Sequence, residues 1–561
     1  MADDHHQAND HNLIDRTNFF RREGVPTGLP TPPSERKRAR HLRVDLDDRE
    51  KKRLKFDLTG KENSGTDDNP DSDSEDEEWD ASRARRRDHL YSVYSLRNRG
   101  MLAGPSSVSR QPDPSTRTTL QSFVSSHKAD VYRCQSIDER TFITLPYACS
   151  YSNAAKRGGV PHLAVATEQG TVHILNTSKR RDWDVEPQRA TIQPHENGVF
   201  DVKWSASDEL LATASGDQSI RITSIASSVR STAQTLHVLR GHEGTVKSIA
   251  WDPNHDGVVL CSGGRDGSIC LWDLRVGERR GGGEETGALA PVLSIVKAHE
   301  SDLKSPRPKG RGKKLTTAAP LKSITHVLYA ESHPYGVVSS CSSDGILNLW
   351  DVRLPSNGTP KKSAKATKAS RPTALSTSSC DPTTYGGTRR ARGITTLAAG
   401  SGPTAGLLYA LGQDSRVHTY TTPSLDPLSG IPPTELGMHD PHAHTHPSMQ
   451  SNSFYVRLAG SPCGRWLAAG NAVDGRAYLF DVANAASAAR AKDVGRFGWE
   501  SAVELRGQTG EVGAMDWAEG MLATCADDGT VRVWRPDVEV ARLCVDDPEE
   551  MKWGWSWASN A

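Results

Sequence analysis

The sequence lacks a net charge: 69 Lys and Arg balance 69 Asp and Glu across 561 residues. The whole-chain field therefore selects neither nucleic acid nor an acidic partner, and any steering has to come from local runs. Cysteine is sparse and unpatterned, nine residues with no Cys-x-x-Cys pair. Cys261, Cys270, Cys341 and Cys525 fall in stretches that read as strands, which fits reduced thiols packed as small apolar residues in the cytosol or nucleus. No apolar run reaches membrane-spanning length and the N-terminus is too polar for a signal peptide, so a soluble intracellular protein is expected. Catalytic patterns are missing as well. Arg307 to Lys314 lacks the Gly-x-x-x-x-Gly-Lys-Ser/Thr of a phosphate loop, and no Gly-x-Ser-x-Gly follows a strand. These absences point away from an enzyme, and no cofactor is expected.

What is present is a repeat. Leu239 to Arg275 reads LRGHEGTVKSIAWDPNHDGVVLCSGGRDGSICLWDLR, with a Gly-His pair, an apolar run Val246 to Trp251, a Gly-Gly-Arg-Asp-Gly turn and a closing Trp-Asp. That order is one four-stranded blade of a WD40 propeller. Its spacing predicts a structural tetrad in which Asp266 accepts from His242, His242 reaches Ser262, and Ser262 meets the indole N–H of Trp272. Anchored on each turn aspartate, the unit recurs as Thr213, Asp217 and Thr223; Ser340, Asp344 and Trp350; Ala410, Asp414 and Tyr420; Gly470, Asp474 and Phe480; and Thr524, Asp528 and Trp534. A degenerate first unit, Leu163 to Asn176, has Gln169 at the turn. The expected fold is all-β, a seven-bladed ring over 116–540, closed by an N-terminal strand between about Leu90 and Val124.

Residues 1–115 read as a disordered regulatory and targeting tail, and 541–561 as a short C-terminal tail. Arg36 to Arg40 with Lys51 to Arg53 reads either as a nuclear-import signal or as a solvated charge run. Lys52 to Phe56 resembles a cyclin-docking motif, Thr31-Pro32 a proline-directed kinase site, and Lys61-Glu62-Asn63 a KEN degron. Two basic insertions interrupt the repeat. Residues 300–320 carry Lys304, Arg307, Lys309, Arg311, Lys313 and Lys314, and 354–392 end in Arg389, Arg390 and Arg392. The first and the C-terminal part of the second are expected on the face of the turn aspartates, either as solvated loops or as a field for anions, DNA among them. His439, His442, His444 and His446 have spacing conceivable for a metal, but flanking Asp-Pro and His-Pro favour a mobile loop.

Beyond the generic repeat, the sequence resembles the denticleless family of substrate receptors for cullin-4 RING ubiquitin ligases. Gly198-Val199-Phe200-Asp201-Val202, Ala214 to Gln218, Gly263 to Gly267, the basic insertion after Ala298-His299, and Ser453-Phe454-Tyr455-Val456 carry the likeness over about Leu120 to Pro536. Thr223 in place of a closing Trp and Gln508 in place of the blade-seven histidine depart from it. Long animal members also carry an extended C-terminal tail with a clamp-binding motif, whereas this sequence stops soon after the ring. The resemblance implies that Trp272-Asp273-Leu274-Arg275 and Trp350-Asp351-Val352-Arg353 are Trp-Asp-x-Arg boxes for the ligase adaptor, the damaged-DNA-binding protein subunit, and through it cullin-4. The planar fork of Arg275 and Arg353 suits such docking, the alternative being arginines paired within their own blades.

The family also implies degron substrates presented on the DNA-loaded sliding clamp, proliferating cell nuclear antigen, with no catalysis by this chain. A nuclear chromatin or histone-binding scaffold without a ligase role is the alternative. Leu13 to Arg22 resembles the clamp-binding box in Phe19 and Phe20, and its degron variant in Thr17 with the following basic pair. Leu13 and Arg16 stand where that box has glutamine and an aliphatic residue.

Overall fold

The computed structural model describes residues 116–138, 142–225, 234–255, 257–276, 287–300, 322–353, 373–385, 390–429, 440, 442–483 and 502–560. Its strands make seven blades. Blade one holds Pro146–Tyr151, His162–Thr167, Val172–Asn176 and Ala190–Ile192. Blade two holds Val199–Trp204, Leu210–Ser215, Ser219–Ser224 and Gln234–Arg240, and blade three Val246–Trp251, Val259–Gly264, Ile269–Asp273 and Leu293–Ile295. Blade four is Ile324–Tyr329, Gly336–Cys341, Asn348–Asp351 and Ser376–Thr377. Blade five has Ile394–Ala399, Leu407–Gly412 and Arg416–Thr421, with isolated bridges from Val417 to His444 and from Tyr420 to Pro427 beyond its third strand. Blade six runs Leu458–Gly460, Trp466–Ala469, Arg476–Asp481 and Val503–Arg506, and blade seven Val512–Ala518, Met521–Ala526 and Thr530–Pro536.

The innermost strands follow one another around a closed circle, the strand at Val512–Ala518 returning to Pro146–Tyr151. Alternating apolar residues fill the gaps between blades: Ile220 and Ile222 of blade two pack with Leu260 and Trp272 of blade three. No blade buries both faces alone, so the circle is what removes this surface from water. We call upper the end where innermost strands begin and the turn aspartates sit, and lower the end where third strands finish.

One irregularity repeats. In blades one to five and seven the register of the innermost strand shifts after its first residue, a β-bulge at Tyr147, Phe200, Lys247, Thr325, Thr395 and Gly513. A bulge leaves one residue unpaired and re-aims its side chain, here at the upper mouth of the central channel.

The seam differs from the expected closure. Val131–Arg133 is the outer strand of blade seven, and Phe123–Ser126 also pairs with that blade's third strand. Both extend past the window between Leu90 and Val124. The C-terminal residues expected as a tail are folded: the helix Val538–Asp546 and the turn Pro548–Met551 lead into a strand, Trp555–Asn560, paired with Phe123–Ser126 on one side and Val503–Arg506 on the other. Blades six and seven are thus joined in one sheet. Local signals hid this, because the strand's partners lie far away in sequence. Among the described residues no helix is long and apolar enough to cross a membrane.

Candidate functional site

The upper end is held by hydrogen-bonded chains inside blades two, three, four and seven. In blade three, Asp266 Oδ2 lies 3.0 Å from His242 Nδ1, His242 Nε2 lies 2.8 Å from Ser262 Oγ, and Trp272 Nε1 donates to that hydroxyl at 2.8 Å. Burial alone would lower the His242 pKa, but Asp266 and Cys270 together outweigh it and raise it to about 9. Blade two keeps the inner part of the chain, His195 bridging Asp217 and Thr213 at 2.8 and 2.9 Å, with Thr223 in the tryptophan's place. In blade seven Gln508 stands for the histidine: Thr524 donates to its Oε1 at 2.6 Å, and Trp534 donates to Thr524 at 3.0 Å. Blade four corrects the expected spacing, since Trp350 donates to Ser339 at 2.9 Å and Ser340 bonds Thr325 instead. One extra residue between that serine and Asp344 shifts the offset from four to five.

At the upper mouth the bulged residues meet a loop from across the circle. Tyr147 lies 4.8 Å from the Tyr455 ring and stacks on Phe200 at 5.5 Å, and Phe200 meets Phe454 edge-on at 5.9 Å. Lys247 reaches from blade three to this cluster, its Nζ 3.3 Å from the Phe454 ring centroid and donating to Phe454 O at 2.8 Å. The side chain is only 4% exposed. Burial, helped by the Arg457 charge and opposed by Asp201 and Glu511, holds its pKa well below the ordinary lysine value. Beneath it Arg457 pairs with Asp201 at 3.2 Å and donates to Phe200 O, while Asp201 accepts from Ile249 N at 2.9 Å. Burial disfavours the Asp201 charge, but Lys203 and Arg457 outweigh it and keep the pKa below the ordinary value. Gly513 completes the mouth, its α-carbon facing the Tyr455 side chain.

The lower end carries the arginine forks. Arg275 donates from Nε and Nη2 to the two oxygens of Asp273 at 2.9 and 2.7 Å. Arg353 repeats this on Asp351 at 3.1 and 2.8 Å, with its guanidinium 4.1 Å from the Tyr335 ring centroid. Each fork is therefore engaged within its own blade, the alternative weighed from the sequence, and each arginine side chain stays more than half exposed, 65% and 54%. Trp272 and Trp350 are buried and set the strand ends from which the forks emerge.

The family model "WD domain, G-beta repeat" matches residues 186–224, 233–273 and 499–535. Cell division cycle protein cdt2 of Schizosaccharomyces pombe is 30% identical over 426 residues, covering 73% of this chain and 74% of that protein. The chain belongs to the denticleless (Cdt2) family of WD40 proteins. Denticleless protein homolog A of Xenopus laevis is 27% identical over 416 residues, covering 72% of this chain and 50% of that one. Denticleless protein homolog of Homo sapiens is 26% identical over 457 residues, covering 76% and 53%. The chain spans about half the length of these animal relatives.

Two sequence elements that carry the denticleless resemblance, Gly198 to Val202 and Ser453 to Val456, lie far apart in the chain and meet at the upper mouth through Phe200, Phe454 and Tyr455. Of the basic set, Arg390 and Arg392 are exposed just ahead of the innermost strand of blade five. Arg307, Lys309, Arg311, Lys313, Lys314 and Arg389 lie outside the described residues, as do Thr17, Phe19, Phe20 and every other N-terminal motif. The expected mobile histidine loop is packed where it is described: His444 lies between the Tyr409 and Phe480 rings, and His446 stacks on Tyr478 at 4.8 Å. Sequence reading missed Tyr147, Lys247, Arg457 and His326, the last buried beside the Asp201 network. The available signal was the bulge position, second in six of the innermost strands, where a lysine interrupts the apolar run of blade three.

Proposed function

We propose that this protein is the non-catalytic substrate receptor of a cullin-4 RING ubiquitin ligase. It recruits degron-bearing proteins bound to the DNA-loaded sliding clamp, proliferating cell nuclear antigen, for ubiquitination in the nucleus during replication or repair. The observation that carries this reading is the division of the ring into two built ends. Family-marking residues converge at the upper mouth, and paired Trp-Asp-x-Arg forks stand at the lower end of adjacent blades three and four.

In this reading Arg275 and Arg353 dock on the damaged-DNA-binding adaptor, already oriented by Asp273 and Asp351 so that little freedom is lost on binding. The aromatic mouth serves substrate, the basic residues Arg307, Lys309, Arg311, Lys313, Lys314, Arg389, Arg390 and Arg392 serve clamp and DNA, and Thr17, Phe19 and Phe20 add a tethered clamp contact. Ubiquitin transfer belongs to the partners, and this chain supplies proximity.

The test is co-purification of the full chain with the adaptor. The double variant Arg275→Glu, Arg353→Glu is expected to lose the adaptor while melting as the wild type does. Adaptor retained by a folded double variant overturns the docking assignment.

A further inference from the structure

Blade four departs from blade three at one residue, and its chemistry changes there. In blade three the residue two after the tetrad serine is Gly264, and a Cβ built on it would meet His242 Nδ1 at 2.6 Å and Asp266 Oδ1 at 2.7 Å. That position faces the gap between histidine and aspartate. Blade four has Cys341 there, in the same register: Ile324 pairs with Cys341 as Val246 pairs with Gly264. The extra residue before Asp344 makes room for the side chain. Its sulfur enters the gap, 3.2 Å from Asp344 Oδ1. His299 Nε2 is bonded to Ser339 at 2.9 Å, as His242 Nε2 is to Ser262, which turns the other ring nitrogen towards the aspartate. The ligand atoms of His299, Cys341 and Asp344 all lie within 4.8 Å of one another. A cation already stands beside them, the Lys322 ammonium, 2.8 Å from Asp344 Oδ2.

We propose that His299, Cys341 and Asp344 form a transition-metal site for zinc, with the fourth position open to water or an outside ligand. A nitrogen, a thiolate sulfur and a carboxylate oxygen suit a borderline-soft ion that takes four ligands, whereas calcium and magnesium take oxygen alone. On binding, the thiol gives its proton to solvent and Lys322 yields Asp344. His299 stands just ahead of the basic insertion between blades three and four, so the ion would pin the point where that insertion leaves the ring.

Cobalt(II) is the probe, because a cobalt–thiolate bond absorbs in the near ultraviolet and the other ligands do not. Titrated into the reduced full chain, it is expected to raise that band to saturation at one equivalent, and one equivalent of zinc is expected to bleach it. Cys341→Ser should abolish the band. His299→Ala and Asp344→Asn should weaken cobalt binding more than about tenfold, and Cys463→Ser, at an exposed thiol, should change nothing. Cys341→Gly, which restores the blade-three residue, serves if the serine variant does not fold. Zinc should then raise the melting temperature of the wild type and leave that of Cys341→Gly unchanged. Absence of the band in the wild type, or its survival without Cys341, overturns the site; a band that zinc does not bleach overturns the assignment of the ion.

Discussion

At the upper mouth Asp201, Lys247 and Arg457 are drawn into the ring and each is held by a residue of another blade, whereas at the lower end Arg275 and Arg353 stand in solvent, held by aspartates two residues upstream. The mouth exists only once the circle has closed. The forks need nothing beyond their own strand ends. Damage at the upper end should therefore appear first as lost stability, and damage at the lower end as lost binding in a folded protein.

The largest effect is expected from Asp201→Ala. It strands Arg457 in a buried site and removes the acceptor for Ile249 N, and breaking one partner of a buried pair costs about 3–5 kcal/mol. The urea midpoint should fall accordingly; a fall within error would show that water enters the mouth and screens the pair.

Alkaline pH should act next. His242 and His418 are each raised from 6.5 to about 9, Asp414 and Asp440 outweighing burial for His418 as Asp266 and Cys270 do for His242. Their protonated forms therefore stabilise the ring in full below about pH 6.5, and that contribution is lost as pH rises through about 9, on the order of 2–3 kcal/mol for each histidine. The drop in urea midpoint between pH 6.5 and 9.5 should shrink in His242→Gln, which gives blade three the residue of blade seven. An undiminished drop would leave the ion pair of blade three without a share in stability.

Smaller still is Lys247→Met. The cation–π attraction, about 2 kcal/mol when desolvated, is lost, but so is the penalty of burying an ammonium, so a net change within about 1 kcal/mol is expected. Lys247→Ala should cost more, because it also opens a cavity. Equal midpoints for the two variants would remove packing from the account. At the foot of the scale, Arg275→Ala with Arg353→Ala should leave the melting temperature where it was, and a lowered one would mean the forks brace the blades.

The repeat was legible because its signals are local. Asp266 precedes Trp272 by six residues and Asp528 precedes Trp534 by six, spacings fixed by one turn and one strand. The same locality made the forks readable as arginines answering nearby aspartates. A single inserted residue was enough to misplace the blade-four serine. The mouth was not legible, since Lys247 and Phe454 lie 207 residues apart and only the closed circle joins them. Nor was the strand Trp555–Asn560, whose register depends on the first and last strands of the ring arriving at one seam.

That seam bears on how the chain is made. Ser125 and Arg532 are 407 residues apart, and bringing such a pair together costs on the order of 5 kcal/mol of loop entropy before any bond rewards it. On the ribosome the N-terminal strands emerge long before blade seven exists, and they have no edge to join until it does. Six blades can form in turn while the first strands wait unpaired, so the nascent chain stays open to chaperones, and to a neighbouring copy of itself, until its last strand leaves the exit tunnel.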